Sequence, residues 1–181
     1  MAQVKGTAML DLVRFLRSER ERALPLVPPE LRHYLDERVF ESRWYPEQDL
    51  IPLVRVCAEL AGGDPEKTLH GFGRITARSH LDGGIYAHLG ADGDPRSIAI
   101  KAVALWSSQH DTGKLRMEIE GDGLASLRVD GYRHSSPEMC LILTGYFQEF
   151  VALSKLPNPL LEKRLCTSRG DPRCEWELRW G

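Results

Sequence analysis

Residues 114–130 read KLRMEIEGDGLASLRVD, and at this point the hydrophobic period of the chain changes. Upstream, apolar residues return every three or four positions. Here they return at every second one: Leu115, Met117 and Ile119 alternate with Arg116, Glu118 and Glu120. After Gly-Asp-Gly the alternation resumes with Ala125, Leu127 and Val129. A period of two broken by a glycine turn is the pattern of a half-buried β-hairpin, here over about 114–131. LLEKRLCTS and CEWELRW, on either side of SRGDPR, predict a second hairpin over about 159–180. Cys174, Trp176, Leu178 and Trp180 fall on one of its faces. Between the hairpins, SSPEMCLILTGYFQEFVAL predicts a long helix over about 136–154. Ser135 and Glu138 have the spacing of a capping box, and Pro137 suits the first turn.

The N-terminal part has the helical period. Met9, Leu12, Val13 and Leu16 form one stripe, and Leu50, Leu53, Val54, Cys57 and Leu60 form another that stops at Gly62-Gly63. VPPELRHYLDERV predicts a helix between them. Gly-Asp-Pro occurs at 63–65, 93–95 and 170–172. At the first two, Asp64 and Asp94 suit N-caps with proline following at the first helical position. The third falls in the second hairpin. Helices, hairpin, helix, hairpin is the order of an α+β domain with an antiparallel sheet packed on helices, and 181 residues suit a single domain over 1–181.

Composition excludes several classes. A formal charge of −2 offers no phosphate-binding surface, so nucleic acid is not an expected partner. The N-terminus lacks a signal-peptide core and no apolar run spans a membrane, which predicts a cytoplasmic protein with reduced thiols. No G-x-G-x-x-G follows a strand, so no nucleotide is expected. Ser108, His110 and Asp111 lie too close together for a catalytic triad. They suit a helix end stopped at Gly113, with His110 near the last carbonyls. No catalytic residue is predicted. Arg14, Arg17, Arg20 and Arg22 alternate with glutamates as a solvated face.

A hairpin centred on Gly170 places Cys166 opposite Cys174, with Cβ atoms about 4.5–5.5 Å apart. That separation suits a disulfide, two thiolates on one metal, or two buried thiols. Cys140 lies in the first turn of the long helix, where the helix dipole favours thiolate. The three together can meet at one Zn²⁺. Cys57 belongs to an apolar stripe and to the core.

Cys140, Cys166 and the sequence RGDPRCEWEL resemble the C-terminal half of the 4-vinyl-reductase-type ligand-binding domains. That superfamily includes aromatic-effector sensor domains, TRAPP tethering subunits and haem–nitric-oxide domains. The whole chain also resembles a group of uncharacterised stand-alone bacterial proteins, through VKGTAMLDLVRFLR, WYP, LAGGDP, HDTG and the cysteine-rich end. In the aromatic-effector sensors three cysteines and a glutamate hold zinc. The resemblance carries Cys140, Cys166 and Cys174 over as ligands, but Lys163 stands where the glutamate would. Glu138, His134, Glu162 or water is then the fourth ligand. Haem–nitric-oxide domains carry Tyr-x-Ser-x-Arg; around Tyr132 this chain has His134 and Ser136 at the serine and arginine positions, which implies no haem.

The resemblance implies a non-enzymatic sensory or carrier domain that binds an apolar or aromatic small molecule and signals through protein contacts. Phe72, Tyr86, Trp106, Tyr132 and Phe147 are the expected pocket residues. It further implies a homodimer paired through the Met9–Leu16 stripe and an unknown protein partner. The alternatives are a scaffold resembling tethering-complex subunits and a tetrapyrrole-related carrier or enzyme.

Overall fold

Two helices cross so closely that each needs a glycine where it meets the other. α5 (Pro65–Leu81) presents Gly73 to α7 (Pro137–Ala152), and a Cβ on Gly73 would lie 1.9 Å from the carbonyl oxygen of Ile142. α7 returns the contact with Gly145, whose Cβ would lie 2.0 Å from the carbonyl oxygen of His70. The polar edge of the crossing is tied by Glu149, a carboxylate 1% exposed that accepts from Arg74 at 2.7 Å and from Arg78. Burial pushes the Glu149 pKa up, but the donors from Arg74 and Arg78 outweigh it and hold it below the usual carboxylate range.

The computed structural model describes residues 2–82, 84, 86–87, 93–133 and 135–181. In chain order the remaining elements are β1 (Gln3–Lys5), α1 (Gly6–Ser18), α2 (Arg20–Ala23), α3 (His33–Asp36), β2 (Trp44–Pro46), α4 (Leu50–Ala61) and α6 (Pro95–Gln109). The strands β3 (Lys114–Gly121) and β4 (Leu124–Asp130) precede α7, and β5 (Leu160–Leu165) and β6 (Cys174–Arg179) follow it. β1 and β2 pair antiparallel, and the other four strands form an antiparallel sheet in the order β3-β4-β6-β5. This is the α+β class the changing period implied. Both hairpins and the long helix lie where the sequence places them.

The two hairpins join through β4 and β6, which puts Ala125, Leu127 and Val129 beside Leu178, Trp176 and Cys174. All six are buried and form the inner face of the sheet against α7. Trp176 is fully buried, stacks edge-on against Phe147, and donates to Thr144 Oγ1 at 2.9 Å. Burial of one tryptophan contributes about 4–6 kcal/mol on area grounds, so this residue anchors the sheet–helix contact. The outer face carries Arg128 against Glu118 and Glu175 and Arg164 against Glu162 and Glu177, a partly exposed ion-pair lattice of small net worth.

Several local expectations are corrected. Ser136, not Ser135, caps α7, accepting from Met139 N at 3.1 Å. The segment 28–39 makes one 3₁₀ turn and the four-residue α3 rather than a long helix. The arginines of α1 and α2 are not a purely solvated face. Arg17 donates to the carbonyl of Tyr34, Arg20 to that of Leu35, and Arg22 to that of Leu60, which satisfies carbonyls at the ends of short elements. The stripe expected to pair two chains is core: Met9, Val13 and Leu16 are at most 1% exposed. Asp64 and Asp94 do cap α5 and α6.

Candidate metal centre and interior cavity

The three sulfurs of Cys140, Cys166 and Cys174 all lie within 4.8 Å of one another, and all three residues are buried. Cys140 Sγ is 3.2 Å from Cys166 Sγ and 3.6 Å from Cys174 Sγ. Sulfurs bound to one tetrahedral zinc at about 2.3 Å are separated by about 3.8 Å, so the spacing fits one soft ion. The three thiols come from three elements. Cys140 stands in the first turn of α7, Cys174 opens β6, and Cys166 follows the end of β5.

The geometry is not the simple opposed pair of a hairpin. The register of β5 shifts between Lys163 and Leu165, and β5 stops one residue short of Cys166. Cys166 instead starts a 3₁₀ turn over Thr167–Arg169 that ends in the left-handed Gly170, φ 92°. Asp171 of the third Gly-Asp-Pro holds this turn, its carboxylate accepting from Cys166 N at 2.7 Å. Cys174 pairs in register with Val129 of β4.

Hydroxyls surround the sulfurs. Ser168 Oγ is 2.9 Å from Cys166 Sγ, Thr167 Oγ1 is 3.4 Å from Cys174 Sγ, and Ser135 Oγ, freed from capping, is 3.9 Å from Cys140 Sγ. Lys163 Nζ is buried without a hydrogen-bond acceptor among the described residues, 4.1 Å from the Trp176 ring centre. The Cys140 thiol donates to Cys174 and holds its pKa down at about 4, against burial and with help from Thr167 and the Lys163 charge. Cys166 is also lowered: burial opposes this, but Ser168, Cys140 and Lys163 outweigh it. The Cys140 pKa is pushed up, first by that bond to Cys174 and then by burial. Thiolate character thus concentrates on Cys174, and Cys140 keeps its proton. Cys57 lies apart on α4, fully buried, with burial raising its pKa to about 12.

Of the expected fourth ligands, Glu138 accepts from Arg55 Nε at 2.7 Å and Glu162 pairs with Arg164 at 2.8 Å, and neither joins the sulfur group. His134 lies outside the described residues.

The opposite side of α7 borders the interior. A cavity of about 60 Å³ lies among α1, α4, α5 and α7, walled by Leu12, Val54, Phe72, Met139, Leu143 and others, with Thr76, Gln109, His110 and Tyr146 as its polar residues. A neighbouring space of about 40 Å³ shares Gln109, His110, Leu143 and Tyr146 and adds Trp106 and Phe147. Of the expected pocket residues, Phe72, Trp106 and Phe147 thus line these spaces. Tyr132 packs edge-on against Trp106 and His110, and Tyr86 edge-on against His80.

Sequence reasoning missed the buried acid beside this cavity. Glu47, 1% exposed, accepts from His110 Nδ1 at 3.0 Å and from Thr112 Oγ1 at 3.3 Å. His110 therefore pairs with Glu47 rather than with its own helix end. Tyr132 is buried beside the pair without a well-formed hydrogen bond. Burial and the Glu47 charge push its pKa well up, so it stays a neutral phenol. The proline preceding Glu47 marks a helix start, which gave no reason to read that acid as buried.

No protein-family model matches the chain, and no curated protein matches it. Solved structures do. An oxygen-binding H-NOX domain related to soluble guanylate cyclases matches with a TM-score of 0.66 at 11% identity, over 97% of this chain and 94% of that one. The chain has the H-NOX fold. An H-NOX protein from S. oneidensis in the Fe(II) ligation state matches with a TM-score of 0.65 at 15% identity, over 98% and 96% of the two chains. Another match was solved to probe haem distortion in the H-NOX family, with a TM-score of 0.66 at 11% identity.

The H-NOX fold supports the haem–nitric-oxide side of the resemblance drawn from the sequence. It also overturns the expectation of no haem. That expectation rested on the missing Tyr-x-Ser-x-Arg pattern at Tyr132, while the matching folds include domains described by their haem. Among the described residues no helix is long and apolar enough to cross a membrane.

Proposed function

We propose that this chain is a non-enzymatic sensory domain whose ligand meets α7 in the interior, while zinc on Cys140, Cys166 and Cys174 fixes the start of that helix to the β5–β6 hairpin. The sulfur triad carries the reading of the metal site. Three thiols from separate elements converge beside a lysine, an arrangement that favours thiolates and costs stability unless an ion shares their charge. Water or a hydroxyl from Ser135, Thr167 or Ser168 completes the coordination.

The sensory reading rests on the H-NOX fold together with the cavity. Met139 and Cys140 are neighbours in α7, one facing the cavity and the other the sulfurs. A ligand that moves α7 works against the clamp, so the motion is directed to the far end of the helix. The cavity is mostly apolar, with Thr76, Gln109, His110 and Tyr146 as polar contacts. Since about 10–15 Å³ of such space holds one water, it admits a gas or a small apolar molecule. Haem enters as a candidate through the oxygen-binding and haem-distortion neighbours. Among the described residues the two interior spaces measure about 60 and 40 Å³, so no step is assigned to a tetrapyrrole. Ile100 and Val103, exposed on α6, offer an apolar face for a protein contact that passes the signal on.

Native mass spectrometry and absorption spectroscopy of protein purified without added ligand test this reading. One zinc per chain, with a small molecule or a haem band that departs on denaturation, is the expected result. Absence of any bound molecule, with no shift of the Leu143 methyl or Tyr146 ring resonances under xenon or with added indole, contradicts the sensory reading.

A further inference from the structure

On the opposite side of α1 from the core, a cavity of about 200 Å³ opens between α1, Glu41 and the C-terminal end of α5. Two oxygen atoms in its lining are buried and have no partner among the described residues. One is Thr7 Oγ1, on a residue 4% exposed, and the other is Asp11 Oδ2. Thr7 and Asp11 are four residues apart on α1 and so share one face. The other carboxylate oxygen, Asp11 Oδ1, meets Arg14 at 3.4 Å. Leaving a buried carboxylate oxygen and a hydroxyl without partners is destabilising, and a ligand that pairs with them recovers that cost.

The charge of the lining selects the ligand. Asp11 and Glu41 against Arg14 leave one negative charge. His80, 5% exposed, adds none, because burial lowers its pKa despite Asp11 and Glu41 nearby. The unmatched groups are mainly acceptors, so the ligand must bring donors and one positive charge. A metal ion is a poor match: among the described residues only the three cysteines bring three ligating groups within reach of one ion. An alkylammonium has three N–H donors and an apolar tail, which Leu10 in the same wall can cover.

We infer that this cavity is a second binding site, separate from the cysteines and the interior, for a small primary ammonium compound held by Asp11, Thr7 and Glu41. The site borders a reporter. His80 Nδ1 lies 3.1 Å from Tyr146 Oη, and Tyr146 Oη accepts from Gln109 Nε2 at 3.4 Å. Tyr146 and Gln109 both line the interior cavity.

The test is an NMR titration of the full chain with n-butylammonium chloride, following the His80 imidazole carbons. Butanol, butyrate and sodium chloride at equal concentration serve as controls. A saturable His80 shift is expected with butylammonium alone. Loss of a charge-assisted hydrogen bond in Asp11→Asn should weaken it about tenfold to a hundredfold. Thr7→Val, which keeps the shape, should weaken it less. Saturation by butanol or butyrate, unchanged affinity in Asp11→Asn, or no saturable binding at high millimolar concentration would each overturn the inference. Zinc content and interior ligand measured on the same samples separate this failure from failure of the sensory reading.

Discussion

At the scale of single residues, protons decide how the cysteine site behaves. Cys174 carries a pKa near 4 and Cys140 one pushed up, so at neutral pH zinc must displace the Cys140 proton. Releasing that proton makes apparent zinc affinity rise by at least about tenfold for each pH unit gained. Competition with a chromogenic chelator across neutral pH should give that slope, and a flat profile would contradict it. Glu149 makes the opposite kind of pH statement. Its folded pKa is depressed, so its stabilisation is present above its unfolded value, about 4.3, and is lost as pH falls through the folded pKa. Glu149→Gln should therefore cost about 1–3 kcal/mol at neutral pH, by urea unfolding. The gap between variant and parent should close in acid. A gap that stays constant down to the acid transition would show that Arg74 and Arg78 do not hold the carboxylate.

At the scale of elements, the α5–α7 crossing depends on its two glycines. A methyl group at Gly145 or Gly73 would collide with backbone oxygens, which cannot rotate aside as a side chain can. Gly145→Ala and Gly73→Ala should each lower stability by at least about 2 kcal/mol, read as a drop in the urea midpoint. Gly71→Ala, where nothing lies within 4 Å, should instead be neutral or slightly stabilising. This is also where the sequence was hardest to read. The strands and α7 were legible because their apolar spacing is strict and their turns carry glycine and proline. The glycines of HGFGR showed no phosphate-binding pattern, but nothing in their spacing pointed to a helix crossing. The N-cap of α7 was missed by one residue because Ser135 and Ser136 are adjacent, and only the packed structure assigns Ser135 to the sulfurs.

At the scale of the whole molecule, the three cysteines were legible as a group but their route together was not. The sequence suggests a symmetric hairpin. The fold uses a register shift in β5, a 3₁₀ turn and the Asp171 carboxylate to bring Cys166 to Cys140. Glu47 and His110 lie 63 residues apart and were invisible as a pair, since such contacts depend on how β1, β2 and α6 meet. The H-NOX fold was within reach of the sequence only through its cysteine-rich end, and the expectation of no haem drawn from one short motif was misleading. The account stands or falls on the proposed zinc, which would join α7 to the sheet. X-ray absorption at the zinc edge, on protein purified under reducing conditions and assayed for metal, should give one zinc per chain with three sulfurs at about 2.3 Å and one lighter ligand. Metal-free protein whose three thiols still react freely with a thiol reagent after zinc is added would contradict it.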